Sequence, residues 1–154
     1  MVENRPAATI RPVYDTLWRM DRESEKIARI LRRSQVIAVV GASPRPERPS
    51  YLVARYLIGQ GFRVIPVRPR VSEVLGRRCY PRLEDIPGNV DIVDVFRRPE
   101  ACPDVARSAA VIGAGALWLQ QGIISDEAAE IAAAAGLDVV MDRCIKVAHR
   151  EMAR

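Results

Sequence analysis

The chain has 154 residues, 49% of them hydrophobic and only 5% aromatic, with a formal net charge of +5. That suffices for one domain whose core is built from Val, Ile, Leu and Ala. No apolar run approaches the roughly 18 residues that cross a bilayer, and Met1-Val-Glu-Asn-Arg-Pro6 lacks an apolar signal segment, so no membrane partner and a cytoplasmic location are expected.

The first residues, 1–14, hold two prolines and no periodicity, and are expected to form an extended arm. Residues 15–154 are expected to form a single domain that includes an N-terminal helix. That helix spans Asp15 to Arg33, with Leu17, Met20, Ile27, Ile30 and Leu31 near the 3.6-residue period and Asp15 as its cap. Val36 to Val40 reads as the first strand. Ser50 is placed to cap a second helix, which Gly59-Gln-Gly61 stops. The second strand is Phe62 to Val67. A loop with Gly76 and Tyr80-Pro81 leads to a short turn at Leu83–Ile86, and Asp91 to Phe96 is the third strand. Pro99 suits the first turn of a helix reaching Ile112. Ala116 to Leu119 is the fourth strand. Ser125, followed by Asp126 and Glu127, opens another helix, whose positive end the acidic pair complements. Leu137 to Met141 is the fifth strand, and a helical tail follows from Ile145.

Strands alternating with helices imply an α/β protein: a Rossmann-like, doubly wound, parallel five-stranded sheet with an extra N-terminal helix. The expected strand order is 3-2-1-4-5. Ligands of such sheets lie at the carboxyl ends of the strands, where the order reverses. The residues that follow each strand are therefore the candidates.

Gly41 permits a sharp turn after the first strand, and with Ala42 and Ser43 opens a phosphate-binding loop. Ser43, Ser50 and nearby amides would donate to a pyrophosphate, and Arg48 would add charge. Gly41 is the lone glycine before Gly59, in a loop stiffened by prolines, so the full dinucleotide fingerprint is absent. A single glycine there is also explained by turn formation alone. Pro66-Val67-Arg68-Pro69-Arg70 ends the second strand on arginines, where a dinucleotide fold that binds a free ribose hydroxyl carries an acid. Either arginine reaches a ribose phosphate or lies on a solvated loop. The first possibility favours coenzyme A or NADP over NAD. After the third strand come Phe96, Arg97 and Arg98, with Glu100 as a possible ion-pair partner for one arginine. Trp118 is expected in the core, and Gln120 beyond it as a polar contact to ligand, with Gly122 letting backbone approach.

Cys79, Cys102 and Cys144 are scattered and read as reduced thiols. A thiol neighbouring Arg143, that of Cys144, is either a small core residue or a site for a mixed disulfide with a thiol ligand. With His149 the one histidine, no metal site is expected, and no catalytic residues can be assembled. The arginines are dispersed and accompany no nucleic-acid motif, so nucleic acid is not the expected partner. The N-terminal helix suits either a homodimer or other protein contact, or a cover over the sheet.

Five stretches carry a resemblance: Val39 to Tyr51, Val64 to Pro69, Asp91 to Arg98, Trp118 to Gln120, and Val140 to Cys144. Together, across residues 34–146, they resemble the small stand-alone CoA-binding proteins, whose domain is similar to the nucleotide-binding domain of the succinyl-CoA synthetase α subunit. The resemblance implies coenzyme A or acyl-CoA across the carboxyl edge of the sheet. Gly41, Ala42, Ser43, Arg48 and Ser50 would surround its phosphates, Pro66 to Arg70 the adenosine end, and Phe96 and Arg97 the pyrophosphate or pantetheine arm. In the family pattern Pro-Val-Asn-Pro, this chain has Arg68 where Asn is usual. The phosphohistidine domain of the synthetase has no counterpart here, so binding without catalysis is expected. The alternative is an NADP-dependent oxidoreductase.

Overall fold

Pro66 decides the place of the second strand. In the computed structural model, which describes residues 5–154, five parallel strands form the main sheet: β1 (Val36–Val40), β2 (Arg63–Val67), β5 (Ile92–Val95), β6 (Ala116–Leu119) and β7 (Asp138–Val140). Their lateral order is β2-β1-β5-β6-β7. Counted in chain order, the core strands run 2-1-3-4-5, not 3-2-1-4-5. The α/β class is as expected; the order is corrected. The Pro66 carbonyl accepts from the Tyr80 N–H at 3.0 Å, while that of its neighbour Val67 accepts from Gly41 N–H at 2.9 Å. The Pro66 ring nitrogen thus lies on the side away from β1. In the expected order a third strand would need a donor there, and proline has none, so β2 is an edge.

Five helices flank the sheet: α1 (Arg5–Arg33), α2 (Pro49–Gly59), α3 (Cys102–Val111), α4 (Asp126–Ala134) and α5 (Ile145–Met152). On one face Ile30, Leu57, Ile145 and Trp118 are wholly buried with β1 and β5 side chains. Burying each such aliphatic contributes about 1.5–3 kcal/mol. On the other, Ala106, Ala109, Ala128 and Ala132 bring α3 and α4 close to the strands, because their side chains end at the methyl. β1, β5 and β6 are covered from both faces, which is why they read as near-continuous apolar runs.

Three local expectations are revised. The chain is helical from Arg5, so residues 5–14 of the expected arm are part of α1, and Asp15 lies inside the helix instead of capping it. Pro6 falls in the first turn, where its missing N–H costs nothing; residues 1–4 lie outside the described residues. The loop after β2 contains a small antiparallel pair, β3 (Glu73–Val74) with β4 (Arg77–Arg78). The residue at the N-cap of α2 is Arg48, with Pro49 following it and Ser50 already inside the helix.

The α4 cap is as read: Ser125 Oγ accepts from Ala128 N–H at 3.1 Å. Ser125→Ala is expected to lower stability by about 1 kcal/mol, read as a shift of the urea midpoint at constant slope. A variant as stable as the parent would mean that the α4 amides find another acceptor.

Among the described residues, no helix is long and apolar enough to cross a membrane.

Candidate functional site

With the order 2-1-3-4-5, the direction of winding reverses between β1 and β5, and the loops after those strands frame the cleft. They meet closely. Gly41 N–H donates to Val67 O at 2.9 Å, and Phe96 N–H to Val40 O at 2.8 Å. Gly41 has φ +84°, and a Cβ on it would stand 2.3 Å from the Phe96 carbonyl oxygen. The glycine is needed for its conformation and for lack of room together.

Two cavities open on either side of this waist and share Gly41, Arg68 and Phe96. One, of about 630 Å³, lies at the start of α2 and is lined by Arg45, Arg48, Arg68 and Arg98, with no acidic side chain. The other, of about 610 Å³, has an apolar wall of Val67, Pro69, Leu83 and Val105, and is entered past Arg68, Arg82 and Arg97.

The lining of the first is cationic and suits an anion. No side chain caps α2, so its leading amides and the positive end of the helix face the cavity without a competing acceptor. Two hydrogen bonds brace the loop that delivers them: Ser43 N–H donates to Ser50 Oγ at 3.0 Å, and Arg45 N–H to Ser43 Oγ at 3.2 Å. Both serines are buried. Among the described residues, Arg45, Arg48, Arg68, Arg97 and Arg98 take part in no ion pair. The pairing of Glu100 with Arg97 or Arg98 is therefore absent, and five guanidinium groups keep their donors for a ligand.

The structure brings together Gly41, Ser43, Arg48, Ser50, Arg68, Phe96 and Arg98 around one cavity, and Val67, Arg68, Pro69 and Arg97 around the other. Four candidates line neither. Ala42 is buried in the core. Pro66 is a buried strand residue. Arg70 is exposed on a turn at φ +64°.

Gln120 is displaced for a topological reason, since β6 is one strand further from the reversal than the expected order has it. It is buried, and its amide donates from Nε2 to Asp94 Oδ1 while Oε1 accepts from Ile145 N–H at 3.4 Å. Asp94 Oδ2 has no partner. Burial pushes the Asp94 carboxyl up to about 8, against the opposing Gln120 hydrogen bond. At neutral pH it is therefore mostly a protonated, uncharged group.

Sequence reading missed Arg45, Arg82, Leu83 and Val105. Arg45 was legible, being a cation in the loop after the first strand. The others reach the cleft through the turn at Leu83–Asp85 and through α3, whose packing against that turn and β5 is a tertiary matter. Cys102 and Cys79 are buried thiols, pushed up by burial. Cys144 is half-buried at the start of α5, outside both cavities. Trp118 is wholly buried, as expected, and donates from Nε1 to Arg143 O at 2.8 Å. Among the described residues, no cluster of His, Cys, Asp and Glu could hold a metal ion.

Residues 35–150 match the sequence profile of the CoA binding domain. Protein YneT of Bacillus subtilis, itself uncharacterized, is 44% identical over 124 residues, which are 80% of this chain and 92% of that protein. The ADP-forming acetate–CoA ligase I of Archaeoglobus fulgidus is 31% identical over 131 residues, 77% of this chain but only 19% of the ligase. Among solved structures, a hypothetical protein from Pyrococcus horikoshii superposes with a TM-score of 0.83 at 40% identity, covering 85% of this chain and 92% of that one.

Proposed function

Because the chain belongs to the CoA-binding domain family, we propose that it binds coenzyme A or an acyl-CoA at the β1/β5 cleft and does so without catalysis. The observation that carries this reading is the set of unpaired arginines around the uncapped start of α2. Coenzyme A bears a pyrophosphate and a separate ribose phosphate, and so calls for cationic donors at two places. Arg45, Arg48 and Arg98 serve the pyrophosphate at the helix end. The apolar wall of the second cavity takes the adenine, and Arg68, common to both cavities, takes the ribose phosphate between them. On this reading, the arginine that replaces the family's usual asparagine strengthens the phosphate contact.

A binding role is supported by what the cavities contain. Of the two carboxylates along their walls, Asp104 is held by Arg107 at 2.6 Å, which leaves Glu84. No histidine or cysteine lines either one, and neither serine of the loop has a base beside it. The three cysteines are free thiols, which fits the reducing cytoplasm.

The test compares thermal unfolding with coenzyme A, its 3′-dephospho form, NADP and NAD. A ligand at about 100 times its dissociation constant adds roughly 2.7 kcal/mol to the folded state. Coenzyme A is expected to stabilise most and the dephospho form less. NADP acting alone would transfer the site to an oxidoreductase. In titrations, Arg68→Ala and Arg97→Ala are each expected to weaken coenzyme A binding by about 1.5–3 kcal/mol, a charge-assisted hydrogen bond lost. Affinity unchanged in both would remove these two residues from the site.

A further inference from the structure

α1 is too long for the body it covers. Its last third lies along the outer edge of β7: Lys26 Nζ donates to Val139 O at 2.6 Å, and Arg29 and Arg33 pair with Asp138 at 3.2 and 2.5 Å. Ile27, Ile30 and Leu31 are buried there. Every residue from Asp15 to Arg22, by contrast, is exposed. At about 1.5 Å per residue, the 29 residues of α1 far exceed the few-residue strands, and the helix projects beyond their carboxyl ends.

The projecting part keeps the pattern of the docked part. Val13, Leu17, Met20, Ser24, Ile27 and Leu31 follow at alternating steps of four and three, the spacing of a coiled-coil seam. Within the body, Ile27 and Leu31 have their partners in the core. Beyond it, Val13, Leu17 and Met20 are each more than half exposed. Trp18 lies on the opposite side, its ring covered by Arg22 at 5.1 Å. The stretch from Asp15 to Arg22, exposed at every residue, gains nothing from packing, and Pro12, earlier in the same helix, removes a backbone hydrogen bond.

We propose that this seam is completed by the same segment of a second copy, forming a closed two-fold dimer through α1. Charge selects that occupant. An isologous contact needs a surface that complements itself, and the segment bears both signs, Arg19 and Arg22 with Asp15, Asp21 and Glu23. A nucleic acid or an anionic membrane calls for cations alone, although the chain as a whole is basic. The seam also continues into a groove of about 620 Å³ between α1 and α5, where Ser24, Ala28, Val147 and Met152 leave room for a neighbouring helix. The docked part of α1 lies along β7, and no described residue of α1 lines either cavity of the β1/β5 cleft, so the contact stands or falls independently of the ligand.

Sedimentation equilibrium of the full chain over a wide concentration range is expected to give twice the 17.2 kDa chain mass. The double variant Leu17→Glu/Met20→Glu is expected to sediment as a folded monomer, and Val111→Glu, at an exposed position on α3, to remain dimeric. Trapping gives a readout that does not depend on that double variant. On mild oxidation, at least one of Val13→Cys, Leu17→Cys and Met20→Cys should yield a covalent dimer, and Trp18→Cys should not. A wild type that is monomeric at every concentration overturns the proposal. So does a dimer that survives the double variant, or cross-linking as strong at position 18 as along the seam.

Discussion

Asp94→Asn is expected to make the protein more stable at pH 7.5 while leaving it no more stable at pH 4. The wild-type carboxyl is wholly buried, and burial raises it from 3.8 to about 8 in the folded state. In the unfolded chain it titrates at its ordinary value, near 4. Between those two values the folded protein holds a proton that the unfolded chain has released. Stability therefore falls as pH rises through that window, by about 1.4 kcal/mol per pH step, and levels off above about 8. Below about pH 4 both states are protonated and the cost disappears. At pH 7 it reaches about 4 kcal/mol. Asparagine has the same shape and no titration, and its oxygen can accept from Gln120 as Oδ1 does. Its amide group meets the partnerless surroundings of Oδ2, which returns about 1–3 kcal/mol. The diagnostic quantity is therefore the slope: urea midpoints of wild type and variant should diverge as pH rises from 4 to 8. Parallel curves would mean that Asp94 is not held neutral by its burial.

Gly41→Ala should lower both stability and ligand affinity, and by more than the same change at Gly122. Both glycines have φ +84°, so both substitutions carry the strain of a left-handed backbone, about 1–3 kcal/mol. A Cβ at Gly122 meets nothing within 4 Å, whereas at Gly41 it meets the Phe96 carbonyl oxygen at 2.3 Å. That oxygen cannot retreat cheaply, because the Phe96 N–H is tied to Val40 O. The difference between the two variants isolates the collision. Its relief must part the loops after β1 and β5, the two that frame both cavities. Loss of stabilisation by coenzyme A in Gly41→Ala, with the effect retained in Gly122→Ala, is the expected pattern. Equal losses in both would show that the waist yields and that the close approach is not what shapes the cleft.

The elements and some of the site were legible in the residues because their causes are local. Val36–Val40 and Ala116–Leu119 are strands within the bounds their apolar runs suggest, and Ser125 caps α4 because a hydroxyl three residues before an amide reaches it whatever the rest of the chain does. The lone Gly41 and the arginines at the ends of the second and third strands likewise marked the sheet edge where the two cavities open before any strand was paired. Pairing is a contest between segments distant in sequence, and no local pattern ranks the competitors except where one is disabled. Pro66 was such a mark, since a strand lacking a donor on one side belongs at an edge. Once β2 stands there, β5 lies beside β1, the cleft moves to their boundary, and Gln120 passes from presumed ligand contact to the partner of a buried acid. The periodicity of α1 was equally plain from residue 15 onward. Which turns of it meet the body, and which are left uncovered, depended on where β7 presents an open edge. Local hydrogen bonding and side-chain period are thus written residue by residue, whereas strand neighbours and uncovered faces exist only after distant segments have excluded water from one another.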